Sequence, residues 1–469
     1  MGDRIQTTQG ADPKGHAPEP GDHPKACRRP PGRKPGPAPD AESFGRQLLA
    51  LIRHAFPEFN RWLDALPDPR RQELCVYMGR HLYWQAILTF LLRAGSRNAF
   101  DGDRNSGQIP ENVLLLCVQQ WDAERLGERR TVTCSDNVTH HLCRVPVEDV
   151  AQLGSLMIRR LLEMRLLERA RLSNRWWMIA LDGSLQDRGR ETPSQEARYR
   201  YIVQATLIGP DNTLFPLMTE FMDVRDPVRE KEDCEQKAFL RLTERLHAEF
   251  PNLPICLLLD GLYAIAPVFE RCEQYDWRFV ATLREGRQPT AFDEAVQTMM
   301  MSPEQVLHVQ RKGEHGPVGQ TLRWTNDVDF GGRNLNVLFA GEVSPTAATL
   351  WVWVTNFSLT PDSAAVVANN AGRARQGIET LFNVEKNGGF GLEHAFCANQ
   401  TASKNYHLLM QVAFILGQLL VNGCLRRLTR ACRKVTDRKL VELLRLSLWA
   451  VRIDPTAPCF GQLRFSSSA

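Results

Sequence analysis

The chain has 469 residues, 43% apolar and 24% charged, which is a globular composition long enough for two or more domains with sizeable cores. It is neither the low-hydrophobicity, high-charge composition of a disordered chain nor a fibrous one. A net charge of +4 and a pI of about 8.4 are too weakly basic to argue for nucleic acid from the total, so the distribution of charge carries the information.

No uninterrupted apolar run approaches the roughly 18 residues that span a bilayer. Met1-Gly2-Asp3-Arg4 opens the chain without the apolar segment of a secretory signal, so a cytoplasmic protein with no membrane partner is expected. The 12 cysteines form no Cys-x2-Cys pair and read as reduced core residues. Cys134, His140, His141 and Cys143 have a spacing that could be forced into a zinc site. However, Ser135-Asp136-Asn137 reads as a helix start, and no second cysteine pair completes a standard pattern.

Residues 1–42 are rich in Pro, Gly and charge and read as a disordered tail. Its basic patch, Lys25, Arg28, Arg29, Arg33 and Lys34, suits either a solvated linker or an arm for the minor groove. Residues 43–174 read as a helical region, with Phe44 to Ile52, Val76 to Leu92, Asp136 to Leu142 and Val150 to Leu167 as its helices. Arg159, Arg160, Arg165, Arg169 and Arg171 give its end an arginine-rich stripe, which suits a DNA-binding module and a plain helical bundle equally.

From Arg175 the pattern changes. Trp176 to Leu181 is a short apolar strand ending in Asp182-Gly183-Ser184. Tyr199 to Leu207 and Thr213 to Phe221 form a hairpin about Gly209-Pro210-Asp211-Asn212. Lys231 to Phe250 is an amphipathic helix, Ile255 to Leu259 an apolar strand ending in Asp260-Gly261, Ala264 to Gln274 a helix, and Trp277 to Leu283 a fifth strand. The order β-β-β-α-β-α-β is that of a ribonuclease H-like core: an α/β fold with a mixed five-stranded sheet, here over residues 175–290. Residues 291–359 alternate like strands between Gly, Pro and Asp turns and predict a mostly β insertion. The core resumes over 360–400, and 401–469 is helical, with a basic run of Arg426, Arg427, Arg430, Arg433, Lys434, Arg438 and Lys439.

The resumed core predicts one helix starting after Thr360-Pro361-Asp362 and stopping at Asn387-Gly388-Gly389. At about 100° per residue, Glu379 lies roughly 40° and Lys386 roughly 20° round from Arg375, so the three share a narrow stripe. Such a stripe is most often a solvated face with an i,i+4 ion pair. An Asp before Gly after a strand is usually a turn residue. The three acids gain meaning together: strands one and four of the expected core are neighbours, so Asp182 and Asp260 emerge at one edge, and the helix can bring in Glu379. Three carboxylates there suit two magnesium ions, which take oxygen ligands and activate a water or hydroxyl against a phosphodiester.

Arg375, Glu379 and Lys386 also match, in spacing, the Tyr-x2-Arg-x3-Glu-x6-Lys signature of the DDE transposases of bacterial insertion sequences, and the chain resembles that family over roughly residues 130–420. The tyrosine position is Gly372, a departure. Leu181-Asp182-Gly183-Ser184, Lys231-Glu232-Asp233-Cys234-Glu235, Leu259-Asp260-Gly261-Leu262-Tyr263, Gly391-Leu392-Glu393-His394 and the β insertion resemble the family too. The resemblance implies that Asp182, Asp260 and Glu379 bind two Mg²⁺ ions (Mn²⁺ as a possible substitute) and that Arg375 and Lys386 contact DNA. It implies a homodimer acting on double-stranded DNA at transposon ends and target. Glu235 and His394 are open to supporting or purely structural roles. Trp324, Trp351 and Trp353 are open to stacking on a flipped base or to the core. A nuclease without strand transfer and a decayed DNA-binding remnant remain as alternative functions.

Overall fold

The computed structural model describes residues 41–117, 131–188, 199–224, 231–313, 316–344, 347–394, 396–426, 435–456 and 463. The expected tail lies outside these residues except Ala41 and Glu42, as does the stretch of the basic run from Arg427 to Lys434. The described residues belong to one compact unit, Ala38–Ala469.

Among the described residues the α-helices that come first are α1 (Ala41–Ala55), α2 (Phe59–Ala65), α3 (Gly79–Leu91), α4 (Arg97–Asp103), α5 (Ile109–Cys117), α6 (Ser135–Leu142) and α7 (Val147–Glu163). Of α3, every residue from Arg80 to Leu91 is buried, because its neighbours enclose it on all sides. Three strands follow, β1 (Trp177–Arg188), β2 (Tyr199–Ile208) and β3 (Leu214–Val224), joined as antiparallel neighbours. Next are α8 (Lys231–Glu249), β4 (Ile255–Leu259), α9 (Ala266–Gln274) and β5 (Arg278–Thr282). All five residues of β4 are buried. Each such Leu or Ile side chain contributes about 1.5–3 kcal/mol over exposure, so the strand is pinned at the sheet centre.

The helix α10 (Pro289–Met301) then opens the predicted β insertion, a helix that sequence reasoning missed. The strands β6 (Val306–Gly313), β7 (Gly316–Asp329), β8 (Asn334–Val343) and β9 (Ala348–Thr355) complete the β structure. They do not form a separate body. β9 pairs antiparallel with β5, and the sheet runs β3-β2-β1-β4-β5-β9-β8-β7-β6. The predicted five-stranded sheet therefore has nine strands. The physical reason lies at β5, whose outer edge carries unpaired backbone groups until β9 covers it.

The helix predicted after Thr360 is not continuous. Thr360 caps α11 (Pro361–Val366) through a capping box with Ser363, a π-helical turn spans Val367–Gly372, and α12 (Gln376–Asn387) carries the stripe. Gly389, at φ +92°, takes the left-handed conformation beyond its C-terminus. The last helices are α13 (Gln400–Gln418), extended by a π-helical turn over Leu419–Leu425, and α14 (Asp437–Ala450). Gln400–Leu425 is long and apolar enough to cross a membrane by length and composition, and 83% of its most apolar window is buried inside the protein.

Candidate functional site

The site starts from strand register. β1 and β4 run parallel with Ala180 opposite Leu258, so two residues further on Asp182 and Asp260 leave adjacent strands at the same level. Asp182 was expected to end its strand, yet β1 continues to Arg188 because β2 goes on pairing with it. Only the β4 side of the ladder stops there. It stops because Asp260 turns its carboxylate back to accept the Leu262 N–H at 2.8 Å, capping the short turn Gly261–Tyr263. Asp182 Oδ1 accepts the Gly183 N–H at 2.9 Å.

Burial, with the negative charge of Asp260 beside it, pushes the Asp182 carboxyl up to about 7, while Arg375 opposes the shift. Like charges held together in a desolvated edge are a place for a cation. In the described residues that cation is Arg375: its Nη1 lies 3.5 Å from Asp182 Oδ2, and its Nη2 is hydrogen-bonded to Glu379 Oε1. Glu379 projects from the first turn of α12, which packs across β1 and β3, and its side chain is 55% exposed. The structure thus brings Arg375 against both Asp182 and Glu379, with Asp260 beside Asp182. Lys386 is one helix stretch away and pairs with Glu393 at 2.9 Å.

Behind the aspartates, on the opposite face of β1, Tyr263 donates a hydrogen bond to the buried Glu235 at 2.9 Å. Burial and the carboxylates of Glu235, Asp182 and Asp260 raise the Tyr263 hydroxyl well above its usual range. A Cβ on Gly183 would come within 2.5 Å of Glu235 Oε1, so the glycine makes room for this fourth acid. His394 is exposed and packs edge-on against Phe396.

Some parts escaped sequence reasoning. The stem of the exposed Arg284, just after β5, lies 3.3 Å from where a Gly261 Cβ would be, so this side chain passes over the turn that follows Asp260. Glu385 is fully buried, and burial pushes its carboxyl up to about 8 against the opposing Gln204 and Lys386. Its place on the Ile378, Leu381, Phe382 stripe of α12 was the available signal. Glu342 on β8 accepts hydrogen bonds from Arg311 and Gln320 and pairs with Arg373. Gln320 and Asn369 exchange amide hydrogen bonds at 3.1 and 2.9 Å, so the β6–β9 ribbon is clamped to the π-helical turn before α12. Chain order could not show that clamp.

Trp324 and Trp353 are core residues, 4% and 1% exposed, while Trp351 is half-buried, stacked parallel to Trp353 and beneath Arg373. Much of the expected arginine stripe is engaged internally: Arg159 with Glu249, Arg160 with Glu163 and Arg171 with Glu168. Arg165 and Arg169 are exposed. Arg169 and Arg373 line a cavity of about 630 Å³ that reaches Gln376 and Thr380, beside Glu379. His141 is buried 3.6 Å from Asp68, and His140 is exposed.

The donors at the sheet edge are all carboxylate oxygens, which fits magnesium or manganese and not a soft metal. The crowding of Asp182 by Asp260 fits a cation between them. Among the described residues no group of three or more His, Cys, Asp or Glu side chains stands close enough to hold a metal ion, and Arg375 occupies the gap between Asp182 and Glu379. The sequence matches no family model, and no curated protein is similar to it beyond chance.

Proposed function

We propose that the protein is a DNA transposase of the DDE type: it hydrolyses the phosphodiester at the ends of an insertion sequence and joins the freed 3′-hydroxyl to target DNA. The observations that support this reading are Asp182 and Asp260 at one level of adjacent parallel strands and Arg375 reaching from Asp182 to Glu379. The order β3-β2-β1-β4-β5, antiparallel then parallel, supports a ribonuclease H-like core beneath it. The four-stranded ribbon entering between Asp260 and Glu379 supports the same family.

Asp182, Asp260 and Glu379 are the residues that would hold two Mg²⁺ ions, with Mn²⁺ as a substitute. When bound, such ions activate the attacking water or hydroxyl and stabilise the leaving oxygen. The chain itself supplies orientation. The Gly183 and Leu262 amides each fix one carboxylate oxygen, so the two aspartates need little reorganisation. Asp182, raised to about 7 with Arg375 beside it, would have to be ionised to act as a ligand. Arg375 would present its guanidinium to a phosphate at this edge, and Lys386 would exchange Glu393 for a more distant phosphate. Joining two ends implies a homodimer on double-stranded DNA.

The test is cleavage and strand transfer on duplexes carrying the inverted repeats that flank the reading frame, with Mg²⁺ or Mn²⁺. The reading expects nicked and joined products from the wild type and neither from Asp182→Ala, Asp260→Ala or Glu379→Ala. Cleavage without joined product would identify a nuclease. Equal background nicking by wild type and variants would sink the catalytic assignment and favour a DNA-binding remnant.

A further inference from the structure

The acid cluster carries its own cation. The Arg375 side chain is 15% exposed, with one nitrogen 3.5 Å from Asp182 Oδ2 and another bonded to Glu379 Oε1, so it is seated in the site. These are two of the three carboxylates assigned above to metal. A guanidinium and a divalent ion compete for the same oxygens, and their charges repel at that range. The guanidinium fork also matches a phosphate bidentately, so an incoming DNA backbone offers Arg375 an alternative partner.

From this geometry we propose that Arg375 is a positioning residue that holds Asp182 and Glu379 together before substrate arrives, and that DNA phosphate draws it away and so opens the carboxylates to metal. The inference rests on the metal-dependent reading above. Its consequence is thermodynamic: whatever removes Arg375 from the carboxylates favours metal, and metal in turn favours the DNA that keeps Arg375 away. DNA and metal therefore bind with positive coupling, equal in both directions.

The experiment is Mn²⁺ binding to the full chain, followed by electron paramagnetic resonance of the free ion, with and without a short duplex of arbitrary sequence. In the wild type the duplex is expected to tighten Mn²⁺ binding by roughly ten- to hundredfold. Arg375→Gln, which keeps bulk and loses charge, is expected to bind Mn²⁺ more tightly than the wild type without DNA and to gain little from the duplex. Arg375→Lys, which keeps the charge, is expected to stay nearer the wild type. Arg375→Gln binding Mn²⁺ no more tightly than the wild type overturns the proposal alone. So does a wild type whose Mn²⁺ affinity ignores the duplex, a readout that needs no variant to fold. A gain in Arg375→Gln that survives the added change Asp260→Asn places the ion elsewhere and removes the metal-site reading along with the proposal.

Discussion

Gly372 lies so close to Trp353 that a Cβ on the glycine would come within 2.5 Å of the indole ring. This is the position where the transposase signature that the chain resembles has tyrosine. The space beside Gly372 is filled by the buried Trp353 of β9, so the glycine leaves no hole.

That relationship predicts a non-additive pair. Gly372→Tyr alone overpacks the site and is expected to cost about 1–3 kcal/mol, while Trp353→Ala alone is expected to cost about 3–5 kcal/mol. The double variant should lose less than the sum, because each change relieves the other. Urea denaturation of the four proteins measures the coupling; strict additivity would mean that the contact carries no energy.

Asp182 predicts a pH dependence in metal-free buffer. Its folded value of about 7 lies above the ordinary 3.8, so between these values the unfolded chain releases a proton that the folded chain retains. The contribution of Asp182 to stability is therefore greatest at the acid end and falls as pH rises toward 7, by at most about 1.4 kcal/mol per unit. Asp182→Asn should remove that share of the slope. Glu385→Gln should remove a second share extending to about pH 8. Denaturation midpoints between pH 5 and 8 with a chelator test both; parallel profiles for wild type and variants would refute the assignment.

Glu342 predicts a local effect with a distant readout. Glu342→Ala removes the shared partner of Arg311 and Arg373, whose hydrogen bonds outweigh its partial burial and hold its carboxyl below the usual range. The loss is expected to be on the order of 3 kcal/mol, as for other broken, largely buried pairs. Hydrogen exchange should rise in β6–β9 and in the turn before α12, and α8 should be unaffected.

Arg284 predicts a change in DNA affinity that is uniform over sequence. Arg284→Ala should weaken duplex binding and lower the slope of log affinity against log salt by about one unit. Fluorescence anisotropy over a salt series reads this directly. An unchanged slope would mean that Arg284 does not contact DNA.

Much of this was legible along the chain because it depends on local periodicity. The all-apolar run Ile255–Leu259 could only be a buried strand, Thr360 and Gly388-Gly389 mark real helix limits, and the spacing of Arg375 and Glu379 makes them neighbours on a helical path. Locality also explains the errors. The strand end expected at Asp182 was read from a Gly-Ser signal, whereas β2, paired with β1 through Arg188, keeps the strand extended. The helix break between Gly372 and Arg375 has no proline to announce it; it lies where the turn docks on Trp353 and on the Glu342 clamp.

By itself the sequence determined which side chains can be brought together: two aspartates at one level of adjacent parallel strands, and a glutamate one helical turn from an arginine. Tertiary structure alone decided how they meet. Packing α12 across β1 and β3 seats Arg375 between Asp182 and Glu379 in a desolvated edge, where a charge must find a partner, and it leaves Lys386 to Glu393. It also set Trp353 against Gly372 and joined the ribbon to β5, because side-chain volume and unpaired strand edges are satisfied by neighbours in space, whatever their distance along the chain.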